Sequence, residues 1–217
     1  ENTVKKILLD IENNQQKEYI KKRFYDSSTD SLEQIKQKQD ESIAYTDKQI
    51  GKLYDFLKKR NLLENTIFLI FSDHGDNFGE HKTYFCRGGL YDSSIHVPLI
   101  MHFPGIKPNE ISEITSSIDI SPTILDFLKE EKIKMDGKSL LPLIKNGKKI
   151  RNEIIAADGF SKDRIATRTK FKKTIISGEG KCYLCGAEHG RGKEEYDLER
   201  DSDELRNLCL EKISVNK

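Results

Sequence analysis

Residues 72–81 read Ser72-Asp73-His74-Gly75-Asp76-Asn77-Phe78-Gly79-Glu80-His81, a carboxylate and an imidazole side by side with more of both close behind. Oxygen and nitrogen donors so placed form a partial ligand set for a divalent cation. Asp73 and His74 are the first candidates and His81 a weaker third, since two ligands alone hold a metal poorly. The plain alternative is a polar turn after a strand, with Gly75 letting the chain bend. Arg87 follows a little further on. A guanidinium can pair with anionic oxygens, but it keeps its proton near neutral pH and is a poor general acid. Its ordinary alternative is a surface ion pair with Asp92 or Glu80. His96, just before Val97-Pro98, is read as structural.

A second constellation is Cys182-x-x-Cys185 with His189 four residues later, in a glycine-rich stretch. A zinc knuckle needs a fourth ligand, and Cys209 is the nearest candidate in sequence. One Cys-x-x-Cys without a second pair is weak evidence, so a hairpin tip with incidental thiols is the favoured reading. Four cysteines in 217 residues do not form a disulfide scaffold either.

These groups need elements to hold them. Ser31 and Gln34 match a capping box, and Ile35, Ile43, Ile50, Leu53 and Leu57 recur at helical spacing up to about Arg60. A loop over 61–65 then leads into Thr66-Ile67-Phe68-Leu69-Ile70-Phe71, the pattern of a strand buried on both faces. In open α/β sheets ligands bind beyond the carboxyl ends of strands, which is where Asp73 and His74 fall. Helix feeding strand predicts an α/β class with a mainly parallel sheet flanked by helices. A second strand is expected over 97–102, and a helix from Ser121-Pro122 with Ile124, Leu125 and Leu128 on one face. Residues 4–10 are a short apolar patch, and the polar stretch up to Ser28 is open between helix and irregular structure. The α/β part is expected to span 1–150. Over 151–217 the short strands 153–157, 164–169, 171–177 and 195–198, with a tight turn at Lys170, predict a small antiparallel subdomain.

The totals exclude little else. Net charge is +1, with 37 basic against 36 acidic residues, so no nucleic acid or anionic membrane is called for as a partner. The apolar runs are far shorter than the roughly 20 residues of a membrane helix. The chain opens on Glu1 in a polar context, and the expectation is that sequence precedes it.

The order of motifs resembles the sulfatase family of the alkaline phosphatase superfamily. The strand with Ser72-Asp73-His74-Gly75 is followed by Gly79-Glu80-His81, the basic Arg87, Leu90-Tyr91-Asp92 and His96-Val97-Pro98-Leu99-Ile100. Asp47-x-x-Ile50-Gly51-x-Leu53 upstream, then Asp119-Ile120-Ser121-Pro122-Thr123-Ile124-Leu125, Gly137-Lys138-Ser139-Leu140-Leu141-Pro142-Leu143, Ala166-Thr167-Arg168-Thr169 and Glu195-Tyr196-Asp197-Leu198 continue the likeness. The resemblance implies a metal-dependent hydrolase of small-molecule or glycan sulfate esters, a sulfuric ester hydrolase. It makes Asp73 and His74 ligands of a divalent metal, calcium first, with magnesium, manganese or zinc as alternatives, and Arg87 an ester contact. His81 would brace the loop or ligate. The family's nucleophile lies in a Cys(or Ser)-x-Pro-x-Arg motif that becomes formylglycine, and none of the four cysteines here has that context. The chain is therefore expected to be the C-terminal half of its fold, inactive alone, with the N-terminal half as its partner. Alternatives are a phosphonate or phosphate ester hydrolase of the same superfamily, or a non-catalytic metal-binding module.

Overall fold

A computed structural model describes residues 4–23, 31–131, 133–161, 163–190 and 192–210. Two helices open the chain, α1 (Val4–Asp10) and α2 (Asn14–Arg23), which settles the part of the open stretch up to Arg23; residues 24–30 lie outside the description. Then comes α3 (Leu32–Lys59). Its start is the expected capping box: the Gln34 N–H donates to Ser31 Oγ and the Ser31 N–H to Gln34 Oε1, so two donors unpaired at any helix start are satisfied reciprocally. At 28 residues α3 is about 42 Å long. Only Ile35 of its apolar stripe is buried, while Ile43, Leu53 and Phe56 stay more than half exposed.

β1 (Phe68–Phe71) pairs with β4 (Leu99–His102), Phe68 opposite His102 and Phe71 opposite Leu99. The pair is antiparallel, where helix-then-strand order led us to expect a parallel neighbour; no crossover helix long enough to return the chain in the same direction separates them. Nor is β1 buried on both faces: Phe68, Leu69 and Ile70 are half-buried and Phe71 is 52% exposed. Between them lie the hairpin β2 (Asn77–Phe78) and β3 (Tyr84–Cys86) and the single turn α4 (Asp92–Ile95). The hairpin is tight, with His81 and Lys82 in its connection and Phe85 at the bulge in β3 all at φ between 53° and 57°. Side chains rarely adopt that region, and it persists where the surroundings impose it. Here the surroundings are a core of Ile7, Ile11, Ile20, Ile35 and Phe85, with the Tyr19 hydroxyl donating to Phe85 O at 2.9 Å.

Helix α5 (Ile120–Leu128) begins earlier than Ser121-Pro122 suggested. A 3-10 turn at Ser117–Asp119, capped by Ser116, runs into it, so Pro122 falls in the first turn, where a missing N–H costs nothing. Asp119, fully buried, accepts from the N–H of Ser116 and of Lys138 and from Arg151. After α6 (Leu141–Asn146) the expected antiparallel sheet follows as a meander: β5 (Ile154–Ala157), β6 (Arg164–Arg168), β7 (Lys172–Ser177) and β8 (Gly192–Asp197). The turn at Lys170 is present, Thr169 N–H to Lys172 O at 2.8 Å.

Backbone proximity divides the chain into two units, residues 1–89, 93–105 and 180–189 in one, and 90–92, 106–179 and 190–217 in the other. The first holds α1 to α3, the β2–β3 hairpin and the β1–β4 pair. The second holds the meander, whose inner face is charged. Lys173, 1% exposed, lies 2.5 Å from Asp92 and 2.7 Å from Glu204, and Asp92 also pairs with Arg168 at 2.8 Å. Burial alone would raise the Asp92 carboxyl, but Arg168 and Lys173 outweigh it and hold it below its ordinary value; burial dominates at Glu204 and raises it. Replacing Lys173 by Met leaves the buried Glu204 carboxylate without its cation and Asp92 with Arg168 alone. We expect a loss on the order of 3–5 kcal/mol in urea unfolding at neutral pH, shrinking as the pH falls and the carboxyls take up protons.

Candidate functional site

The site begins where β1 ends. Ser72 Oγ donates to His74 O at 2.8 Å, closing a short turn that presents Asp73 and His74. The next residue is glycine for want of space: Gly75 N–H donates to Ser94 O at 2.8 Å, and a Cβ there would lie 2.0 Å from Ser93 O. Its φ is not positive, so close approach of the 93–94 backbone is the constraint.

His74 is fixed at both nitrogens. Nδ1 lies 2.9 Å from Gly75 O, which only an N–H can satisfy, so Nε2 carries the lone pair. Arg87 Nη1 donates to that lone pair at 2.9 Å, and Asp73 Oδ2 stands 3.5 Å from the same nitrogen. Asp73 Oδ1 accepts the His74 N–H at 3.1 Å. The Asp73 side chain is 83% exposed and that of His74 31%, so the pair faces water. Asp73, His74 and Arg87 are thus brought together. His81 sits in the 3-10 turn Glu80–Lys82, and among the described residues no third carboxylate, imidazole or thiol stands within 4.8 Å of both Asp73 and His74. Glu80, offered as a partner for Arg87, receives the Phe78 N–H and lies 3.7 Å from Lys36.

What sequence reasoning passed over is Asn77. Fully buried, its amide donates to Cys86 O at 2.6 Å, Gly88 O at 3.2 Å and Ser94 Oγ at 2.7 Å, and its carbonyl accepts from Ser93 Oγ at 2.6 Å. It ties the segment ending in Arg87 to the turn that crowds Gly75. An Asn after a strand-end Asp-His-Gly reads as turn chemistry, so no sequence signal marks it. Sequence spacing also misassigned the cysteines: Cys182, Cys185 and His189 meet Cys86, not Cys209. Contact with Cys182 is the main cause pushing the Cys86 thiol up to about 11, while Cys182 is driven down by the thiols of Cys185 and Cys86.

Comparisons with known proteins give the family. A family model described as Sulfatase matches residues 11–130, and one described as N-sulphoglucosamine sulphohydrolase, C-terminal, matches residues 79–216. The chain is 32% identical over 175 residues to the choline-sulfatase of Rhizobium meliloti (strain 1021), covering 77% of this chain and 32% of that protein. It resembles the crystal structure of a phosphonate monoester hydrolase of Agrobacterium radiobacter (TM-score 0.63, 25% identity, 77% of this chain and 36% of that one). It also resembles a protein solved in complex with its substrate D-glucosamine-2-N,6-O-disulfate (TM-score 0.59, 27% identity, 77% and 34%). The chain spans between about a fifth and a third of the length of the curated relatives it matches.

Asn77→Ala strands several buried polar groups at once. We expect a destabilisation of about 2–4 kcal/mol by urea unfolding, with faster amide exchange across 86–94; an unchanged exchange pattern would remove Asn77 from its bracing role.

Proposed function

The chain belongs to the sulfatase family, and from that premise we propose that it is the cation-holding portion of a hydrolase of small-molecule or glycan sulfate esters, with the nucleophile supplied by sequence outside these residues. The observation that carries this reading is that two lone-pair donors, Asp73 Oδ2 and His74 Nε2, stand 3.5 Å apart. Two ligands about 2.4 Å from one cation and at right angles to it stand about 3.4 Å apart, so the two fit a shared divalent ion. The carboxylate suits calcium, magnesium or manganese and the imidazole suits zinc; calcium is the first candidate. A cation held there supplies Lewis-acid polarisation of a non-bridging ester oxygen.

The chain's own residues orient that chemistry. Gly75 O fixes the His74 tautomer with the Nε2 lone pair toward the site; a cation would take that lone pair in place of Arg87 Nη1, whose delocalised charge would then turn to the ester's anionic oxygens. Since Arg87 does not release its proton, protonation of the leaving group falls to another residue. A phosphonate or phosphate ester is the second reading, supported by the likeness to the phosphonate monoester hydrolase.

With an electrophile and no nucleophile, this chain by itself is expected to hydrolyse aryl sulfates and phosphonate monoesters at no more than the uncatalysed rate, with or without calcium or manganese; robust metal-dependent turnover would overturn the assignment of the nucleophile elsewhere. Calorimetric titration with each cation is expected to show weak binding that His74→Ala abolishes. Binding unaffected by both His74→Ala and Asp73→Asn would overturn the ligand assignment.

A further inference from the structure

The ten residues 180–189, between β7 and β8, belong to the first unit together with Cys86 at the end of β3. The thiols of Cys86, Cys182 and Cys185 and the imidazole of His189 come together there, exposed by 0%, 0%, 0% and 1%, with one ligand atom from each within 4.8 Å of all the others. Four ligands at about 2.3 Å from a tetrahedral centre stand about 3.8 Å apart, inside that span. From this geometry we propose that Cys86, Cys182, Cys185 and His189 form a closed, structural zinc site joining the 180–189 loop to the strand that leads into Arg87.

The groups around the four residues are arranged as ligand supports. His189 Nδ1 lies 2.9 Å from Thr83 Oγ1, itself fully buried, while Nε2 faces the sulfurs, 3.1 Å from Cys185 Sγ. A partner on one ring nitrogen that frees the other for metal is the usual second support of a ligating histidine. The Gly88 N–H points at Cys86 Sγ at 3.3 Å, as backbone amides do toward a thiolate carrying charge. Cys182 and Cys185 are set by a turn in which Cys182 N–H donates to Ala187 O at 2.8 Å and Gly186 N–H to Cys182 O at 2.7 Å, with Gly186 at φ 77°. Gly88 has no room for a side chain because its Cβ would lie 2.6 Å from His189 Nε2 and 3.4 Å from Cys182 Sγ.

Three sulfurs and one nitrogen, all buried, select zinc over the hard cations proposed for Asp73 and His74. With four protein ligands and no open position, the ion is structural, with no catalytic role. The alternative of packed neutral thiols accounts poorly for a buried imidazole aimed at them. The 180–189 loop also offers little apolar surface of its own, with Tyr183 67% exposed. A metal cross-link between Cys86 and this loop supplies the missing free energy of ordering.

The test is elemental analysis of the whole chain, purified under reducing conditions and equilibrated with zinc, then freed of loose metal by a weak chelator. About one zinc per chain is expected, retained in the Asp73→Asn/His74→Ala double variant and in Cys209→Ser, and lost in Cys182→Ser and His189→Ala. Because those variants can also unfold, two further measurements are made on folded protein. Cobalt replacing zinc is expected to give the intense visible bands of a tetrahedral thiolate site, and Thr83→Val to weaken zinc binding by about 10–100-fold while circular dichroism stays native. A zinc-free folded protein after equilibration, a Cys182–Cys185 disulfide under reducing conditions, or zinc that departs with Cys209→Ser or with the Asp73→Asn/His74→Ala pair would each overturn the site.

Discussion

One buried amide sets the geometry around the candidate site. Asn77 holds Cys86 O, Gly88 O and the Ser93 and Ser94 hydroxyls with a single side chain, and those contacts fix where Arg87 leaves β3 and how closely the 93–94 backbone approaches Gly75. Buried polar groups are costly unless all are satisfied. The network therefore defines one arrangement of the segment, and the His74–Arg87 contact at its surface inherits that order.

The segment between β1 and β4 takes part in two kinds of chemistry that do not compete. On the solvent side, Asp73 and His74 offer an oxygen and a nitrogen donor, a pair suited to a partly hydrated cation beside an anionic ester. On the buried side, three sulfurs and His189 form a soft donor set. Cys86 and Arg87, adjacent in sequence, point to these two environments: the thiol is wholly buried and the guanidinium exposed. Alternation along an extended chain places neighbours on opposite faces, so one short strand end serves both.

In the second unit, paired charges are buried among the apolar side chains of the core. Arg164, Lys173, Glu194 and Glu204 are all buried, and the Glu194 carboxylate receives both the Tyr91 and Tyr196 hydroxyls. The burial pattern of β7 puts Lys173, Ile175 and Ser177 on the inner face while Ile176 is 58% exposed. Such a face is specific because every charge must meet its partner, and it is intolerant of single substitutions for the same reason.

By itself the sequence determined the local elements and the family. The Ser31–Gln34 capping box, the turn at Lys170, the four strands of the meander and the Asp73-His74 pair at a strand end all rest on interactions within a few residues, and such interactions are legible in residue order. Tertiary structure decided what depends on distant partners: the antiparallel pairing of β1 with β4, the half-exposed state of β1 and of the α3 stripe, the choice of glycine at position 75 for space, and the meeting of Cys86 with Cys182, Cys185 and His189. A thiol far upstream leaves no spacing signal beside a Cys-x-x-Cys pair, because only folding brings the two segments within bonding distance.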